Sequence, residues 1–353
     1  MGIKIKIENL ILTHDMCSQH YVGIDVLKIY SIIMVVLTHC YAPSFVQACL
    51  PELWIYNAVP VFLIVGSFLY SRKFSAICDR AQSLKDAYKI WLGKKNLTAF
   101  FKRIGIPYLF FMLLQLIVLP SVGYAPFPEV LLNTIKGGMG PGGYYLVVYL
   151  QLFLLVPLLN RLFEKSPFAT VLGCLCVQVA FDVLIGYLST NVSALFVDIN
   201  KFISVRFFVI FACGTAIRRY YSRLNAIAVA GCVLFGFFIA AVRNISGLTG
   251  IYAIDSAFGA IQAMFWCGGI VCMLMKIFEG TEKECALVKF IAGSTLHILL
   301  FQQLYFCCVG TARHMAYIDA PVALFGGVAA FALSQAANKA KLWYFQNKNQ
   351  IKS

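Results

Sequence analysis

The chain has 353 residues, 61% of them hydrophobic and only 12% charged, with a formal net charge of +14. A soluble domain carries about 25% charged residues, so this composition, with a mean hydropathy of +0.80, excludes an ordinary soluble protein and points to a membrane. The excess of 29 Lys and Arg over 15 Asp and Glu would suggest nucleic acid in a soluble chain, but here the cations fall between apolar runs and no nucleic-acid partner is expected.

Residues 1–20 lack the apolar core and small-residue cleavage site of a signal peptide, and Lys6 breaks the myristoylation pattern. The first apolar run is therefore expected to be retained as an anchor. A spanning helix needs roughly 20 mostly apolar residues. About ten runs qualify, near 22–41, 53–70, 104–122, 144–162, 168–188, 202–218, 225–243, 251–277, 288–309 and 316–337. They are too long and too uniformly apolar for the alternating strands of a closed barrel. The expected fold is all-α, a polytopic membrane helix bundle forming one domain over 1–353, without repeats or an attached soluble domain.

The connectors give an orientation. Residues 71–103 carry nine Lys or Arg against two Asp, and are expected to form the largest cytoplasmic element, with an amphipathic helix lying on the inner leaflet. On the same side fall Lys4, Lys6, Arg161, Lys165, Arg218, Arg219, Arg223, Lys276, Lys283, Lys289 and the tail 338–353. The opposite connectors hold only Lys136, Lys201, Arg243 and Arg313. The positive-inside rule then places both termini in the cytoplasm, as an even number of spans requires.

Ionisable groups inside a bilayer cost roughly 2.5–3.5 kcal/mol each at the centre. The first run, "GIDVLKIYSIIMVVLTH", holds Asp25, Lys28 and His39. At about 100° per residue, the eleven residues from Lys28 to His39 make three turns plus ~20°. Asp25 lies one turn below Lys28, so all three share a face on which Ser31 also falls. His39 stands roughly 16 Å above Lys28 at 1.5 Å per residue, and Asp25 can pair with Lys28 at i,i+3. One reading has Lys28 snorkelling to the inner interface and His39 tipping the outer one. The other aims all three into a polar interior, where a neutral imidazole suits a general base for an alcohol nucleophile.

Further polar groups interrupt later runs. Asp182, with Gln178 one turn below, and Arg206 lie in the outer halves of the fifth and sixth runs. They can pair with each other, or contact a polar substrate. His297, Gln302 and Gln303 interrupt the ninth run; interhelical hydrogen bonding is the plain role, and Gln302 is also a candidate for acceptor contact. "KGGMGPGGYY" (136–145) follows no strand, so it is not a nucleotide fingerprint. It reads either as a turn with interfacial aromatics or as backbone open to a substrate, with Tyr144 and Tyr145 stacking on a sugar. The 13 cysteines are scattered, with no zinc-like spacing; they read as small buried hydrophobes, and no metal is expected.

These residues resemble the acyltransferase family 3 membrane proteins. The first run is similar to the family's opening helix, Asp-x-x-Arg/Lys followed by ten residues and then His, which maps onto Asp25, Lys28 and His39. "AVPVFLIVGSFLY" (58–70) looks like the second helix, with Gly66 and Ser67 in inverted order. "FFKRIGIPYLFF" (100–111) resembles the start of the third, Arg-x-x-Arg-x-x-x-Pro-Tyr, with Arg103, Pro107 and Tyr108 in place and Phe100 where the first arginine stands. Lys102, or Lys94 and Lys95, can compensate for it. "GGYYLVVYLQLFLLVPLL" (142–159) resembles the fourth helix with its late Pro157, and "STLHILLFQQLYF" (294–306) the ninth.

The resemblance implies about ten helices and O-acylation of an extracytoplasmic glycan or lipid-linked sugar from a cytoplasmic acyl-CoA, most often acetyl-CoA, used as a substrate and not as a resident cofactor. On that basis Lys94, Lys95, Lys102 and Arg103 are expected to meet the donor's phosphates. His39 is expected to act as base or acyl relay, with Lys28, held by Asp25, guiding the donor. Tyr144, Tyr145, Arg206, Asp182 and Gln302 are the candidates for the acceptor. The setting implied is a multi-pass protein of the cell membrane, in bacteria the inner one. A glycan exporter without chemistry, or a structural partner in a glycan-synthesis complex, are the competing readings.

Overall fold

A computed structural model describes residues 21–41, 51–78, 81–193, 195–246, 252–281, 285–309 and 316–350. The N-terminal segment read above, with Lys4, Lys6, Arg80, Lys283, Arg313 and Lys352, falls outside the described residues. Among the described residues every regular element is helical, as a chain must be when its backbone has to satisfy itself away from water.

In chain order these are α1 (Val22–Cys40), α2 (Ala58–Cys78), α3 (Leu84–Trp91), α4 (Lys94–Phe100), α5 (Ile106–Ser121), α6 (Phe127–Ile135), α7 (Tyr144–Lys165) and α8 (Pro167–Asn191). Then come α9 (Leu195–Phe202), α10 (Phe208–Tyr220), α11 (Ala226–Ser246), α12 (Tyr252–Ile277), α13 (Ala286–Val309) and α14 (Ala316–Gln350). Nine helices among the described residues are long and apolar enough to cross a membrane, the third counted from Lys94 to Ser121 through a π-helical turn at Phe101–Gly105.

The sixth apolar run (202–218) is present but broken. It starts at the last residue of α9 and continues as an extended residue at Ile203, a 3₁₀ turn over Ser204–Phe207 and the 13-residue α10. Two glutamines make the break possible. Gln151 of α7 donates to Phe202 O at 2.7 Å and accepts from Ser204 N at 2.9 Å. Gln178 of α8 accepts from Val209 N at 3.1 Å, serving one of the free donors at the start of α10.

The 71–103 stretch is more regular than a connector. Its first eight residues prolong α2 to Cys78, and residues 94–103 already belong to the third span. The expected amphipathic helix is α3, whose Ser83 cap accepts from Asp86 N at 3.1 Å and which buries Ala87 and Trp91. Likewise the last span continues through the expected tail as far as Gln350.

Helix α1 lies inside the bundle, packed by α2, α12, α13 and α14. Helix α2 packs in turn on α7, α10 and α12. The α2–α10 seam is close and polar. A Cβ at Gly214 would strike Ile64 O. Ser67 donates to Phe211 O at 2.6 Å, and Ser71 lies 3.0 Å from the Thr215 hydroxyl and accepts from Asn160 Nδ2 at 3.1 Å. Ser67, the serine of the inverted Gly-Ser pair, thus fastens helices together.

Proline 157 sits inside α7. Lacking an N–H, it leaves the carbonyl four residues back without its helical partner. That carbonyl is Phe153 O, and the Trp91 indole N–H donates to it at 2.9 Å. The ring is fully buried against Phe153, Phe74 and Tyr70, so one side chain both patches the proline defect and anchors α3 to the bundle. Trp91→Phe keeps much of the packing and removes the donor. It is expected to cost about 1–3 kcal/mol, seen as a lower thermal midpoint in detergent. In a Pro157→Ala background, where an N–H returns to Phe153 O, the same change should cost less.

Candidate functional site

A cavity of about 730 Å³ runs beside α1. Lys28 and His39 both line it, as their shared helical phase requires. Lys28 donates to Asp25 Oδ1 at 2.9 Å, and Asp25 is buried behind it. His39 lines the wall about three turns further along α1. Its ring meets Phe306 of α13 edge-on, with centroids 6.2 Å apart.

The two ends of the cavity differ in chemistry. Lys102 and Arg103, on the π turn, line it at the end nearer Lys28, and Ser334 and Asn338 of α14 line it too. A π turn adds a residue to the helical register and so turns side chains away from the face that a plain α-helix would give them. Lys94 and Lys95, about two turns earlier on α4, are exposed and stand outside the lining.

At the other end Tyr56, Gly142, Tyr144, Tyr145 and Arg206 reach the cavity. Tyr145 is stacked on Tyr149 at 5.7 Å and leans on Phe62 at 5.8 Å, so it belongs to an aromatic wall. Arg206 is carried by the 3₁₀ turn, its guanidinium 5.2 Å above the Phe207 ring. Asp182 and Arg206, one of whose possible roles was to pair, make no direct ion pair. Asp182 accepts instead from Ser256 of α12 at 2.5 Å and lies outside the lining. The sixth run is broken here, so Arg206 sits on a 3₁₀ turn and not on a regular helix face.

The glycine connector folds inward. Gly137, Gly138, Gly140 and Gly142 all adopt positive φ, and a Cβ on Gly140 would sit 2.6 Å from Gln303 O. Gln115 clamps the loop at Met139, accepting from its N–H at 2.8 Å and donating to its carbonyl at 3.3 Å. Behind the loop, Gln302 and Gln303 are wholly buried with amide atoms that have no hydrogen-bond partner. The interhelical bonds expected of them are therefore not made, and Gln302 lies outside the lining.

Among the lining residues that were not site candidates from sequence are Tyr149, His297 and Asn338. His297 was visible as a polar interruption of an apolar run, yet helical phase alone does not say which neighbour a face meets. Asn338 fell in the expected tail.

The comparisons with known proteins add one finding. Residues 21–339 match a family model described as an acyltransferase domain. No curated protein and no solved structure matches the chain.

Removing Asp25 alone leaves the Lys28 ammonium uncompensated in the wall. Asp25→Ala is expected to cost about 3–5 kcal/mol. The double change Asp25→Ala with Lys28→Met, which removes both charges, should recover part of that loss. Thermal unfolding of the three proteins in one detergent checks the order.

Proposed function

The chain belongs to acyltransferase family 3, whose domain model covers residues 21–339, and on that premise we propose that it moves an acyl group, acetyl in the simplest case, from cytoplasmic acyl-CoA to a hydroxyl of an extracytoplasmic glycan or lipid-linked sugar. The observation that carries this reading is a single cavity with Lys102 and Arg103 at one end and His39 further along. The excess of Lys and Arg near the Lys28 end supports placing that end in the cytoplasm, in a multi-pass protein of the bacterial cell membrane.

Arginine grips phosphate with two parallel hydrogen bonds, lysine as a point charge. Arg103 and Lys102 hold the donor's phosphates at the mouth, with Lys94 and Lys95 raising the local positive potential from outside. Lys28, fixed by Asp25, steers the arm inward. His39 takes the proton from the acceptor hydroxyl as its oxygen attacks the thioester carbonyl. The C–O bond forms, the C–S bond breaks, and the proton passes from the imidazolium to the leaving thiolate. The acceptor meets Tyr144, Tyr145 and Arg206 at the far end, while Asp182 and Gln302 act behind the wall.

The same cavity would also serve an exporter of the glycan, and chemistry separates the two. With acetyl-labelled CoA and membranes bearing the glycan, His39→Ala is expected to lower transfer about 10²–10⁴-fold at an unchanged thermal midpoint. Full retained transfer removes His39 from the reaction. Label that never leaves CoA in the unmutated protein favours the exporter. Arg103→Ala should raise the KM for the donor and leave the acceptor's unchanged.

A further inference from the structure

His297 stands in the cavity wall at a place that the proposed reaction does not yet use. It is 8% exposed, and its Nδ1 has no hydrogen-bond partner. Its ring packs edge-on against Phe331 of α14 at 5.1 Å. A buried imidazole nitrogen without a partner forfeits about 1–3 kcal/mol, and no protein group beside it makes that good.

Its height in the bundle follows from its helix. Phe306, which touches the His39 ring, lies nine residues further along α13, which puts His297 about 13 Å toward the Lys28 end. Helices α5 and α13 run side by side in the same direction, since Phe111 clusters with Leu300 and Leu119 with Cys307. Arg103, eight residues before Phe111, therefore lies about 12 Å below the level of Leu300. The order along the cavity is Arg103, then His297, then His39, over roughly 20 Å.

A pantetheine arm has the reach of four to five extended peptide units, ~15–18 Å. Held by its phosphate at Arg103, it presents its sulfur near His39 and its two amides in between. We propose that His297 is a donor-positioning residue that hydrogen-bonds an amide of the pantetheine arm. This inference rests on the reading of acyl-CoA as the donor. Each amide offers one N–H and one carbonyl, so either imidazole tautomer finds a partner. The contact would hold the arm extended and make the site select thioesters that carry those amides.

The test is equilibrium binding to the purified full chain, with CoA and with 3′,5′-ADP, which keeps the base and two of the three phosphates but lacks the arm. His297→Phe retains a ring against Phe331 and removes the hydrogen bond; His297→Gln retains a donor and an acceptor. The expected result is that His297→Phe weakens CoA about three- to tenfold, that His297→Gln recovers most of this, and that 3′,5′-ADP binds all three proteins alike. Equal weakening of both ligands, or no weakening of CoA, overturns the assignment of His297 while leaving the donor reading in place. An unmutated protein that binds neither ligand overturns the donor reading and this inference with it.

Discussion

A backbone group that loses its helical partner inside a membrane has no water to turn to. Three breaks in this bundle obey that constraint, and each is closed by one side chain or two. Pro157 frees Phe153 O, and Trp91 takes it. The end of α9 and the start of α10 are held by Gln151 and Gln178. The glycine connector is pinned by Gln115 at Met139. Two of the three breaks border the cavity, supplying Arg206 and Gly142 to its wall. Irregular backbone is tolerated at membrane depth where it is buried in protein or lines a cavity, and here it brings polar groups to places that a straight helix would not reach.

Helix α1 shows the complementary case. It is regular throughout and packed by four neighbours. An ionisable group on such a rod must be paired or aimed into a cavity. Lys28 does both, bonded to Asp25 at 2.9 Å and facing the cavity that His39 also lines. The snorkelling alternative for Lys28 would need an open flank at the bundle surface, and the Asp25 partner holds the ammonium inward.

This contrast explains what could be read from the sequence. The spans were legible because hydropathy averages over some twenty residues, a window in which a single extended residue such as Ile203 disappears. The broken sixth run therefore looked like the others. Lys28 and His39 were legible as a pair because both sit on one rod, where phase alone fixes their relation. Asp182 and Arg206 sit on different helices, and their relation depends on packing and on the 3₁₀ turn; Asp182 went to Ser256 instead. The third span was seen from residue 104, since four basic residues near its start lower the local hydropathy, although the helix begins at Lys94.

The cavity's gradient of charge bears on how a reaction could run across the bundle. Its cations gather at the Lys28, Lys102 and Arg103 end, and aromatic rings with one guanidinium stand at the other. A nucleotide carrying several negative charges would lose both its hydration and those cations if it moved inward, and the unpaired burial of even one such charge costs several kcal/mol. A neutral thioester at the tip of a neutral arm pays no such penalty. On the proposed donor, the head is thus held at the mouth by electrostatics while only the arm and its acyl group advance toward His39. Sidedness then needs no moving gate, because the difference in charge between the two ends of one molecule already decides which part enters.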